Sequence, residues 1–64
     1  MYNYTYLNQY GYEQTEKFKT LKEALVYIAR NYERGWKTPI TLRGMGVFYQ
    51  QQDILLLCHK NKLL

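Results

Sequence analysis

The chain begins with strict alternation. Tyr2, Tyr4 and Tyr6 fall on one side of an extended segment and Asn3, Thr5 and Leu7 on the other, because successive strand side chains point to opposite faces. Asn8, Gln9, Tyr10 and Gly11 supply turn chemistry. Alternation then resumes over Tyr12–Phe18, with Tyr12 and Phe18 on one face and Glu13, Thr15 and Lys17 on the other. The two runs predict an antiparallel hairpin. Its first strand, N-terminal and held by one short turn, is expected at or near a sheet edge.

From Thr20 the period changes from that of a strand to that of a helix. Leu21, Ala24, Leu25, Ile28 and Tyr32 recur at helical spacing and define an inner face, with Ala29 beside them. Thr20 and Glu23 form a T-x-x-E capping box, and Gly35 stands where a left-handed residue closes a helix. The outer stripe of this predicted helix is Glu23, Tyr27, Arg30 and Arg34, with Val26 at its side.

Pro39 then disfavours helix at Thr38 and opens a third strand, in which Ile40 and Leu42 alternate with Thr41 and Arg43. Gly44-Met45-Gly46 is a turn, and Val47-Phe48-Tyr49 a short fourth strand. The tail holds an apolar run, Ile54–Cys58, that fits either a fifth strand or a short helix. Helix is favoured, since Gln, Leu and Lys are good helix formers and Asp53 suits a first turn. The expected fold is a single α+β domain over residues 1–64. It has a small four-stranded antiparallel sheet packed on one main helix, ββαββ, followed by a short C-terminal helix.

Composition modifies this picture in three places. Eight of the 64 residues are tyrosine and none is serine. Tyrosine offers a large, rigid contact area with a polar tip, which binding surfaces favour, but it also fills strands and small cores. The net charge of +4 is uneven: up to Ala29 the lysines and glutamates cancel, so the whole excess lies from Arg30 onward. A basic half attracts nucleic acid or an acidic protein face, and also serves solubility. The single cysteine, Cys58, excludes an intramolecular disulfide, so a core this small gains from association with a partner or a second copy. No basic start followed by a long apolar run opens the chain, and no apolar run is long enough to span a membrane, so a soluble, cytoplasmic protein is expected.

Catalytic chemistry finds little footing. Cys58 and His59 are adjacent, which turns them away from each other in strand or helix. There is no second histidine, no serine nucleophile and no pair of neighbouring carboxylates outside the expected exposed faces. A structural zinc needs four ligands, and Cys58 and His59 are the only soft ones. Gly44-Met45-Gly46 precedes a strand rather than a helix, so it lacks the context of a phosphate loop. The reading is a non-enzymatic protein with no metal and no cofactor.

Two binding surfaces are expected instead. The first is the stripe Tyr2, Tyr4 and Tyr6, with Tyr10 and Tyr12 close behind, together with Val26, Tyr27, Arg30 and Arg34 on the outer helix; since Leu7 takes the opposite face from the stripe, some of these tyrosines are also expected to pack inward. No charged side chain occurs from Met1 to Gly11, so this segment reads as protein-contacting: a nucleic-acid platform would interleave cations. The second is basic, with Arg30, Arg34, Lys37 and Arg43 as candidate nucleic-acid contacts and Trp36 near by, although Trp36 also reads as a lid on the core.

The layout carried by T20-x-x-E-A-L-x-Y-I, P39-I-T-L, G46-V-F-Y and D53-I-L, in a Tyr-rich, serine-free chain, resembles that of small phage and mobile-element proteins, the anti-CRISPR proteins among them. The resemblance implies a phage-encoded inhibitor that covers a working surface of a larger host protein or protein–nucleic-acid machine. The positive charge departs from the acidic, nucleic-acid-imitating members of that group, so docking on protein is the expected mode. A small basic nucleic-acid-binding protein and a homodimeric accessory protein are the alternatives.

Overall fold

The computed structural model describes residues 1–64 and has the order β1 (Tyr2–Leu7), β2 (Glu13–Phe18), α1 (Leu21–Glu33), β3 (Thr38–Gly44), β4 (Val47–Gln50), α2 (Gln51–Lys60). The fold is α+β, with four antiparallel strands in one sheet and both helices packed on the same face of it. The tail is a helix, not a fifth strand.

The sheet order is β2-β1-β3-β4. β1 is therefore next to the edge rather than at it: it pairs with β2 on one side and β3 on the other, so it is not the open edge strand that its position in the chain allowed. A hairpin fixes only one neighbour of its first strand. The other follows from where α1 returns the chain, and α1 carries it back to the open side of β1.

Centrality changes the role of the tyrosines. Tyr4 is fully buried and Tyr6 is 4% exposed, with ring centroids 5.2 Å apart in a stack. They join Leu25, Ile28, Leu42, Ile54 and Cys58 in one core. Tyr2, opposite Phe18, packs half-buried against the same cluster. The expected contact stripe Tyr2, Tyr4 and Tyr6 is thus the inner face of the sheet, because a strand with neighbours on both sides and two helices above it must turn its larger side chains inward.

In α1, Thr20 Oγ1 accepts the Glu23 N–H at 3.2 Å. At the other end Gly35 takes φ +73°, its N–H bonds to the Tyr32 carbonyl and the Trp36 N–H to the Asn31 carbonyl, a double closure that only a left-handed residue permits. The helix turns Ala24, Leu25, Ile28 and Ala29 inward. Tyr32, expected inside, is 41% exposed, while Asn31 is buried and bonds its own helix through Nδ2 to the Tyr27 carbonyl at 2.9 Å.

β3 also departs from simple alternation. Thr5 pairs with Thr41 but Tyr6 pairs with Pro39, so Ile40 is an extra, unpaired residue. This bulge lets Pro39 and Leu42, three positions apart, both face the core. It also places a residue without an N–H where the ladder is broken. The β3–β4 connection is a two-residue turn with positive φ at Met45 and Gly46, the form that suits strand twist. Gly44, at φ +151°, lies so close to β1 that a Cβ there would run into the Met1 carbonyl and the Tyr2 Cα.

Two substitutions test this packing. Gly44→Ala is expected to lower unfolding stability by about 1–3 kcal/mol, through backbone strain and collision with β1. The Tyr4 hydroxyl is buried without a hydrogen-bond partner. Tyr4→Phe should therefore raise stability by about 1 kcal/mol in a urea melt. A loss of similar size would mean that the hydroxyl is satisfied.

Candidate functional site

The β1–β2 loop is an exposed segment held by four hydrogen bonds of its own. The Asn8 N–H bonds to the Tyr12 carbonyl at 2.8 Å, and the Gly11 N–H to the Asn8 carbonyl at 3.0 Å. The Asn8 side-chain oxygen accepts from the Tyr10 and Tyr12 N–H groups at 2.9 and 3.0 Å. Asparagine is suited to this because its short side chain reaches backbone two residues on, and Gly11 supplies φ +83°. The rings of Tyr10 and Tyr12 stay 75% and 69% exposed. A loop this well bonded holds them outward without a large entropy loss on contact.

Leu7 pairs with both Glu13 and Thr38, so the loop after Leu7 and the segment before Thr38 lie at the same end of the sheet. That segment carries Trp36, half exposed, with the Arg34 guanidinium 5.1 Å from its ring centroid. Trp36 is therefore not the core lid that its position after a helix suggested. Tyr10, Tyr12 and Trp36, with Arg34, make one end of the molecule aromatic and cationic.

The remaining candidates divide among other places. Lys37 lies over the rings of Tyr6 and Tyr27, at 5.2 and 4.8 Å, and donates to the Tyr27 Oη at 2.6 Å. Its charge is used within the fold. Tyr27 also packs against Phe18 at 5.0 Å and edge-on to Tyr4 at 6.3 Å, so this outer-face residue is half a core residue. With Val26, Phe18 and Arg30 it lines an open groove between α1 and the end of β2. Arg43 stands in β3 opposite Asn3 and Phe48, on the sheet face that carries no helix. Arg30, Arg34, Lys37 and Arg43 therefore do not assemble into one basic patch. Composition along the chain cannot reveal this, since Arg43 and the helical arginines end on opposite sides of the sheet.

The thiol–imidazole pair is divided in the same way. Cys58 is fully buried, its Sγ 3.8 Å from the Leu25 carbonyl, and burial pushes its thiol up. His59 is exposed. No three His, Cys, Asp or Glu side chains converge into a group that could hold a metal ion. No helix is long and apolar enough to cross a membrane.

No family model, curated protein or solved structure matches this chain. Its own geometry carries the functional argument. Tyr12, expected close behind the tyrosine stripe, and Trp36, expected more as a core lid than as a surface group, are both exposed. The Asn8-x-x-Gly11 pattern was the available signal for Tyr12, because a side-chain-bonded loop cannot fold its next residues into the core.

The buried phenols give a pH signature. Burial, then the neighbouring Tyr27 and Glu16, push Tyr6 up to about 12, and burial first, then Tyr27, Cys58 and Tyr6, raises Tyr4 further. An unfolded tyrosine ionises near 10. Both folded values are raised, so their contribution to stability is complete below about pH 10 and is lost as pH rises toward 12. Denaturation midpoints measured across this interval should fall, and should fall less in Tyr6→Phe.

Proposed function

We propose that this chain is a non-enzymatic binding protein that docks on a larger protein, or on a protein–nucleic-acid machine, through its Tyr10–Tyr12–Trp36 end. The observation that carries this reading is the bonded Asn8–Tyr12 loop, which holds two tyrosines in solvent. Exposed Tyr and Trp on a pre-ordered support are the side chains that supply most binding energy at protein interfaces, with Arg as their usual companion. Arg34 stands over Trp36 in that role.

The absence of catalysis in this reading rests on the disposition of the nucleophile. The Cys58 thiol is buried and held in its neutral form, whereas a reactive cysteine needs an accessible thiolate. In the setting implied by the resemblance to anti-CRISPR and other small phage proteins, the partner is a host protein in the cytoplasm and the consequence of docking is inhibition.

The test is quantitative capture. Immobilised wild-type chain and the Tyr10→Ala/Tyr12→Ala chain are exposed to the same host extract, and the captured partner is then titrated against both. Loss of the tyrosines is expected to weaken binding by tenfold or more, with the thermal melt unchanged. An affinity that survives both substitutions would overturn this assignment, as would a partner whose binding depends on Val26 and Arg30 alone.

A further inference from the structure

Both helices pack on one face of the sheet, so the other face is bare. Its composition follows from register. Lys17, Asn3, Arg43 and Phe48 stand side by side across the four strands, and Thr15, Thr5, Thr41 and Gln50 form the next row. Asn3, Thr5, Thr15, Lys17, Thr41 and Arg43 line a shallow depression with no apolar side chain and no carboxylate. Within it Thr5 and Thr15 hydroxyls meet at 3.2 Å, and every other lining group is a hydrogen-bond donor free of the hydrophobic core. Phe48 borders it, 54% exposed beside Arg43. The one carboxylate on this face, Glu13, is at the far corner opposite Leu7.

We propose that the open sheet face binds single-stranded nucleic acid, with Lys17 and Arg43 on phosphates, Phe48 stacked on a base and the Asn3 and threonine side chains as hydrogen-bonding partners. The uncharged N-terminal segment argues against such a platform only when the chain is read linearly. Once β1 is central, cations from β2 and β3 flank it, about 10 Å apart across two strand spacings. Charge along the backbone together with an aromatic ring is what binding of a single strand requires, since phosphates meet the cations and any base offers a face to the ring. The depression itself lacks the apolar centre that protein interfaces bury; the apolar groups of this face, Leu7, Ile40 and Phe48, line a separate hollow beside it. The site lies on the bare face of the sheet and is independent of the Tyr10–Tyr12–Trp36 end, so the two readings stand or fall separately.

Fluorescence anisotropy with labelled twelve-nucleotide oligo(dT) and oligo(U) tests it on the full chain. Binding of either strand at low salt is expected. With two phosphate contacts the slope of log affinity against log salt should be about −1.4. Lys17→Ala and Arg43→Ala should each weaken binding several-fold and reduce that slope by about half. Phe48→Ala should weaken it about tenfold and leave the slope unchanged. Lys22→Ala, which removes the same charge from α1 on the other side of the sheet, should have little effect. The salt titration of the wild type needs no variant, and circular dichroism confirms that each variant is folded. The proposal is overturned by no binding at low salt, by equal binding of a duplex of the same length, by a slope that Lys17→Ala/Arg43→Ala leaves unchanged, or by binding that is lost in Arg30→Ala/Arg34→Ala instead.

Discussion

Tyr4 lies with no solvent exposure in the middle of the central strand, stacked on Tyr6 two residues along, opposite Leu42 of β3 and edge-on to Tyr27 of α1. The other inward groups meet around this ring. Ile28 and Leu25 come from α1, and Ile54 and Cys58 from α2. Of the leucine, isoleucine and valine side chains only Leu25, Ile28, Leu42 and Ile54 are buried, and the rings of Tyr4 and Tyr6 supply much of the remaining core volume. The cost is a phenol with no hydrogen-bond partner, tolerated because the ring contacts around it outweigh one unpaired hydroxyl. The same packing determines what is left outside: tyrosines on the bonded loop, tryptophan past the helix end, and an uncovered sheet face.

Much of the architecture was legible because the signals were local. The Thr20–Glu23 cap, the Gly35 closure, the Pro39 boundary and the Gly44–Gly46 turn each depend on a few neighbouring residues, and each appears where the residues place it. The two-residue alternation correctly grouped Asn3 with Thr5 and Lys17 with Thr15. The short C-terminal helix is the favoured of the two forms the tail allowed, in keeping with the helix propensity of its Gln, Leu and Lys residues.

What was not legible depended on contacts distant in sequence. No local feature of Tyr2–Leu7 states that β3 will pair with its free side. That one fact decides that Tyr4 and Tyr6 belong to the core rather than to a contact surface, and places Lys17 and Arg43 on either side of Asn3. The bulge at Ile40 is similar: it reads as ordinary alternation until Tyr6 is seen to pair with Pro39. Tyr32 fits the inner helical face by period, but Asn31 takes the buried place at the last turn because its amide can bond the Tyr27 carbonyl.

The tyrosines are divided, with Tyr4 and Tyr6 in the core and Tyr10 and Tyr12 on the surface. Nitration of the folded protein with tetranitromethane, followed by peptide mass spectrometry, measures that division directly. The expected result is early modification of Tyr10 and Tyr12, with Tyr4 and Tyr6 protected until the chain is unfolded in denaturant. Modification of Tyr4 or Tyr6 in the native protein at the rate of Tyr10 would contradict the central position of β1 and everything built on it.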